Sequence, residues 1–286
     1  MSPEPSKRSD ILKRIIHIDD HFSPNELMTL WQAIEQEHPL VKQHLQQTVS
    51  AVTALSTVIK HYERTVLAEH VMLYTSPPQP SHPRKSLLLC FSGHGGRMTM
   101  TTPMFLQCVP QAQFDVVMLR DPAKLYYLTG VAGYGSSLTD VLKHLVRDID
   151  FDSYADVRCL STSAGGTAAI VAGMALGAKR TIAIAPMHPT DEIKKVAERG
   201  RPDLTGMELA NLPVLRTAQA PVDSMVVFGG KNALDKERAL RMKAHMPGIR
   251  LATMGDIEDH MLLRFLVLRN QLPKFFEAYL CPDHLS

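Results

Sequence analysis

The stretch "CLSTSAGGTAAI", residues 159–170, decides how this chain folds. Its first half closes an apolar run, VRCLSTS at 157–163, and its second half opens a small-residue run, GTAAIVAGMALGA at 166–178. A short β-branched and apolar run reads as a buried strand, and a longer run of Ala, Ile and Val as a helix. Only two small residues, Ala164 and Gly165, separate the two. A serine at so tight a strand-to-helix junction sits on a sharp turn, above the unpaired N–H groups of a helix start. Two readings follow from these residues. Ser163 is either an activated nucleophile or a polar cap of the helix behind it.

Outward from that stretch the chain alternates. Strand patterns occur at SLLLCFSG (86–93), DVVMLR (115–120), TIAIAP (181–186), SMVVFGG (224–230) and IRLATM (249–254). Helical patterns lie between or after them at TDVLKHLVRDI (139–149), DKERALRMKAHM (235–246) and HMLLRFLVLRNQLPKFFEAYL (260–280). HVMLYTS (70–76) adds an edge strand. Continuous apolar strands separated by helices imply a parallel sheet covered on both faces, a doubly wound α/β architecture. Ligands of such sheets bind at the carboxyl ends of the strands.

Residues 1–65 have a different character. Apolar residues recur at helical spacing through DILKRIIHI, PNELMTLWQAIEQEH and LVKQHLQQTVSAVTALSTVIKHYER, with Ser23-Pro24 as a helix start. Trp31 belongs to the packing face. The expected organisation is an N-terminal helical segment, 1–65, and a catalytic α/β domain, 66–286. The proline-rich SPPQPSHPRK (76–85) is a connector that cannot be helical.

Composition narrows the chemistry. A net charge of +2 with scattered Lys and Arg gives no nucleic-acid footprint. No apolar run spans a bilayer and no secretory leader is visible, so a cytoplasmic location is expected. The 4 cysteines are far apart and lack CxxC spacing, which argues for buried thiols and against a metal site.

A serine nucleophile needs a base, and the base an orienting acid. Asp235 follows the SMVVFGG strand, and His260 follows IRLATM. Of the 13 histidines His260 alone occupies the slot after the last strand. Asp235 also reads as a helix cap, and Asp256, Glu258 and Asp259 are rival acids. These lie too close to His260 in sequence for easy pairing. The glycine-rich SGHGGR (92–97) ends an earlier strand. It lacks the G-x-x-x-x-G-K-[ST] pattern of a phosphate loop and suits a backbone oxyanion donor.

Taken together, STSAGG, Asp235, His260 and the SGHGG loop resemble the α/β-hydrolase superfamily over roughly residues 66–280. Its nucleophile elbow reads G-x-S-x-G, and Ser161 stands here in place of the first glycine. The resemblance implies attack by Ser163, with His260 as base and then acid, Asp235 as its orienter, and an acyl-enzyme. Oxyanion donors would be the N–H groups of Ala164 and His94, with Gly95 the next candidate for the second. Gly95 and Tyr134, with Tyr126 and Tyr127, are candidate substrate contacts; GVAGYGSSLTD (130–140) would lie at the mouth of the site. The short polar segment 187–223 argues against a bulky lipase-type lid. The lead expectation is an esterase or thioesterase acting on a small molecule without a cofactor. A second is an O-acetyltransferase carrying acetyl from acetyl-CoA to a carbohydrate hydroxyl, as some bacterial polysaccharide O-acetyltransferases of this look do. A third is a non-catalytic hydrolase-like module that docks partners through its N-terminal helices, which are also a candidate homo-oligomer surface.

Overall fold

The computed structural model describes residues 8–77, 84–205, 215–216 and 222–281. One eight-stranded sheet organises it, in the order β1-β2-β4-β3-β5-β6-β7-β8. The strands are β1 (Glu63–Ala68), β2 (Val71–Thr75), β3 (Ser86–Phe91), β4 (Phe114–Leu119), β5 (Val157–Thr162), β6 (Arg180–Ile184), β7 (Asp223–Gly229) and β8 (Arg250–Met254). From β4 across to β8 every pairing is parallel; β2 runs antiparallel to β4, and β1 to β2.

Helices cover both faces. Leu88, Cys90, Val116, Met118, Leu160 and Ile182 project to one side. There they meet α4 (Thr102–Cys108), α9 (Leu262–Leu268) and α10 (Leu272–Leu280). Their neighbours in sequence, Leu87, Leu89, Val117 and Cys159, project to the other side, onto α5 (Leu138–Asp148) and α6 (Gly166–Ala175). The side-chain period of two thus fills two cores from one set of apolar strands. α8 (Ala233–His245) closes the second face over Val226 and Phe228. α7 (Pro189–Glu198) follows β6. Cys90, Cys108, Cys159 and Cys281 are all buried and unbonded to one another.

The N-terminal helices are α1 (Arg8–His21), α2 (Pro24–Gln32) and α3 (Pro39–Leu55). Ser23 caps α2 in a full capping box with Glu26, and Pro24 opens the helix. Ile18, Leu27, Val41, Leu45 and Val52 form a separate small core, joined by Trp31 and by Met104 of α4. Through Met104 these helices rest on the sheet-covering layer.

Three expectations need correction. The helical pattern drawn out to residue 64 stops at Leu55, and residues 63–68 are the edge strand β1. HVMLYTS is therefore second from the edge. β1 is largely exposed, so ERTVLA has no apolar run to reveal it. The last helix is two helices, broken where Asn270 takes a left-handed φ of 53° and Pro273 starts α10. Most of the proline-rich connector, and most of 187–223 beyond residue 205, lies outside the described residues. No described helix is long and apolar enough to cross a membrane.

Candidate active site

β5 ends at Thr162, and Ser163 turns into a single 3-10 turn before α6. Ser163 has φ of 47°, a left-handed conformation that a serine adopts only when its surroundings impose it. The surroundings here are close backbone packing. A Cβ at Gly165 would collide with the Phe91 carbonyl of β3, and one at Gly166 with Pro186. Only glycine lets the elbow sit so near its neighbouring strand and loop. Ser161, where the motif usually has glycine, is wholly buried.

Asp235 and His260 arrive from the ends of β7 and β8. Asn232 caps α8 by accepting the Asp235 N–H at 3.0 Å, so Asp235 is the third residue of that helix rather than its cap. Asn232 also donates through Nδ2 to the Glu258 carbonyl at 2.9 Å, tying the loop before Asp235 to the one that carries His260. Glycine permits the approach again: a Cβ at Gly229 would strike the Ile257 carbonyl, and one at Gly230 the Gly255 carbonyl.

The side chains meet. His260 Nδ1 lies 2.9 Å from both carboxylate oxygens of Asp235, and His260 Nε2 lies 2.9 Å from Ser163 Oγ. A carboxylate only accepts, so Nδ1–H donates to Asp235 and the Nε2 lone pair faces the serine hydroxyl. The Asp235 side chain is 1% exposed and that of His260 38%. Two of the rivals are occupied elsewhere, Asp259 accepting the Met261 N–H at 2.7 Å and Asp256 facing Lys231 across 3.5 Å at the surface, and Glu258 is exposed.

The SGHGGR loop leaves β3 beside the elbow. A Cβ on Gly93 would sit 3.2 Å from the Thr162 carbonyl oxygen and 3.4 Å from the Ser163 Cβ. His94 follows within a turn in which Gly96 N–H donates to the Gly93 carbonyl at 2.9 Å and Gly93 N–H to the Arg97 carbonyl at 3.3 Å. Gly93, the residue before His94, thus lies against the elbow that Ala164 continues. Gly95 is exposed at the loop tip, where an added Cβ would meet nothing.

Burial, followed by the positive charges of Arg199, Lys124 and Lys195, pushes the His94 imidazole down to about 4. It is neutral at physiological pH. Burial likewise pushes the Tyr126 phenol up to about 12, so its O–H is intact, and it shares a hydrogen bond with His94 Nε2 at 2.9 Å. Arg199 approaches the same nitrogen at 3.4 Å and donates to the Lys124 carbonyl.

The tyrosines divide. Tyr126 faces the loop. Tyr127 is fully buried and donates to the Leu119 carbonyl at 2.9 Å. Tyr134, the expected substrate contact, packs with Leu138 and Val141 beneath α5 and donates to Asp148 at 3.0 Å. Its hydroxyl is committed to α5. Sequence reasoning named Tyr126 only as one of three tyrosines that could contact substrate; its left-handed φ of 59° is a property no local pattern announces.

No family model and no curated protein matches the sequence. Several solved structures do. A carboxylesterase from Bacillus subtilis is 14% identical, over 83% of this chain and 97% of that one, with a TM-score of 0.48. An α/β hydrolase from a sediment metagenome of the Mar Chica lagoon is 14% identical over 77% and 99%, TM-score 0.46. A thermophilic esterase from the planctomycete Thermogutta terrifontis is 15% identical over 76% and 92%, TM-score 0.44. Independently of these likenesses, the strand order and the left-handed serine between β5 and α6 give this chain the α/β-hydrolase fold.

Proposed function

We propose that this chain is a serine hydrolase that cleaves small carboxylic esters or thioesters through an acyl-enzyme on Ser163. The observation that carries the reading is the unbroken line Asp235–His260–Ser163, with every link at 2.9 Å. In the first half-reaction Ser163 Oγ bonds to the substrate carbonyl carbon while its proton passes to His260 Nε2. The buried Asp235 carboxylate stabilises the imidazolium that results. Negative charge grows on the carbonyl oxygen, and the N–H groups of Ala164 and His94 receive it. The tetrahedral adduct then breaks its bond to the alcohol or thiol, which takes the proton from His260. In the second half-reaction water replaces the alcohol, loses a proton to Nε2 and releases the acid, restoring the Ser163 hydroxyl. The partial exposure of His260 supports this step, since water has access to the imidazole.

Two properties of His94 favour a donor role for its backbone. Its imidazole is neutral and occupied by Tyr126, so it does not compete as a second base.

The test is turnover of p-nitrophenyl acetate, then of acetyl-CoA with and without a sugar acceptor. Release of p-nitrophenol with a pre-steady-state burst, lost in Ser163→Ala, supports hydrolysis. Turnover of acetyl-CoA only when the sugar is present would replace hydrolysis by acetyl transfer. No reaction in either assay would leave a non-catalytic module.

A further inference from the structure

The loop that carries His94 is regular in neither helix nor strand, yet its geometry must hold an N–H donor to a fraction of an ångström. Its fixed point lies outside the α/β core. Arg97 closes the Gly93–Arg97 turn, and its guanidinium reaches back to α1. Arg97 Nε donates to Asp20 Oδ1 at 2.6 Å, and Nη1 lies 3.1 Å from Asp19 Oδ2. Both carboxylates are on buried residues, Asp19 at 2% and Asp20 at 9% exposure. Asp19 is held in turn by His44 of α3, Nε2 to Oδ1 at 2.7 Å. The Asp20 carbonyl accepts from Thr102 Oγ1 at 2.7 Å, at the start of α4, and Thr102 accepts from the buried Arg120 at 3.0 Å.

We propose that Arg97, Asp19 and Asp20 are positioning residues for the oxyanion loop, so that the N-terminal helices are a working part of the active site. The inference rests on the serine-hydrolase reading above. The path is short and every link is a named contact. The α1 carboxylates fix the Arg97 side chain. The Arg97 carbonyl accepts the Gly93 N–H, and Gly93 touches Thr162 and Ser163. His94 lies inside the turn so closed. Tyr126 holds the other side of that turn through the His94 ring. Releasing Arg97 leaves the loop tied at one point instead of two.

The experiment compares wild type with Asp20→Asn, an isosteric change that removes the charge, and with Arg97→Gln and Arg97→Lys. Each is measured for p-nitrophenyl acetate kinetics and for amide hydrogen exchange in the peptide spanning 92–100. Misplacing a donor by about 1 Å costs about 100-fold in rate. Asp20→Asn and Arg97→Gln are expected to lower kcat about 10- to 100-fold, with KM held within about twofold, since the oxyanion exists only beyond the ground state. Exchange in 92–100 is expected to accelerate in both. Arg97→Lys, which keeps the charge, is expected to recover part of kcat. The double variant is expected to be no worse than the worse single, because both remove one contact. Wild-type exchange in Asp20→Asn and Arg97→Gln would overturn the clamp. Faster exchange with unchanged kcat would overturn its catalytic purpose. A wild-type protein inert to both the ester and a fluorophosphonate probe would instead overturn the hydrolase reading, and the exchange measurement would still decide whether the clamp exists.

Discussion

Gly165 and Gly93 both pack where the end of β3 meets the elbow, and they are held in place by different forces. On the elbow side the contacts are backbone against backbone: Gly165 on the Phe91 carbonyl, Gly229 on that of Ile257, Gly230 on that of Gly255. These carry no charge and leave no space for a methyl group. On the loop side a Cβ on Gly93 would be tight but not blocked, 3.2 Å from the Thr162 carbonyl oxygen, and side chains add the order: Arg97 on α1 and Tyr126 on His94. Ser163, Asp235 and His260, the proposed nucleophile, acid and base, are therefore placed by the close-packed core of the sheet. The proposed oxyanion loop is placed by polar contacts, one from the N-terminal helices and one from Tyr126. The first arrangement is sensitive to volume and the second to charge.

The largest effect tests the close-packed side at its chemical centre. Ser163→Ala and His260→Ala are each expected to lower kcat by about 10⁶, and the pair together by no more, as for groups that act as one unit. Steady-state ester kinetics check this, and additive losses would break the picture of a single proton path. Asp235→Asn keeps the shape but presents an amide to His260 Nδ1. A fall in kcat of about 10⁴ is expected, because the wrong imidazole tautomer is then favoured. A change of less than tenfold would reassign the orienting acid.

Next comes volume without chemistry. Gly165→Ala puts a methyl group into the Phe91 carbonyl and is expected to cost ~1–3 kcal/mol of stability or more, read by denaturant unfolding. Tolerance of alanine there would show that the elbow is not packing-limited.

The smallest effect concerns charge buried on the elbow side. Glu192 of α7 is 2% exposed and accepts from Thr167 of α6 at 2.8 Å, and burial pushes its carboxyl up to about 8. In the unfolded chain it returns to its usual 4.5. Between those two values the native state holds a proton that the unfolded state has lost. Stability from this group is therefore present below about pH 4.5 and falls as pH rises through 8. Glu192→Gln is expected to remove that slope and raise the thermal midpoint at pH 8 by about 2–4 °C. Parallel wild-type and variant curves from pH 5 to 8 would contradict it.

The two regions also differed in how readily the sequence disclosed them. The elbow, the buried strands and the slots of Asp235 and His260 were legible because each follows a local pattern. An apolar run ends, a small or polar residue follows, and the order of strands fixes where it lands. Boundaries slipped by a residue or two, with Asp235 inside α8 and His260 ahead of α9. The exposed β1 was hidden because an edge strand has little apolar surface to pattern, and the helical spacing before it ran on by chance. Tyr134 was misplaced because an aromatic in a glycine-rich loop looks the same whether it faces a pocket or a helix. The Arg97 clamp had no local signal at all: Asp20 and Arg97 are 77 residues apart, and a lone arginine after GHGG reads as a solvated charge.

The most direct test of the whole account is intact-mass and peptide mass spectrometry after brief exposure to a fluorophosphonate. One covalent adduct is expected, located on Ser163, formed at least about 100-fold more slowly in His260→Ala and absent in Ser163→Ala. An unlabelled wild-type protein, or an adduct that survives Ser163→Ala, would contradict it.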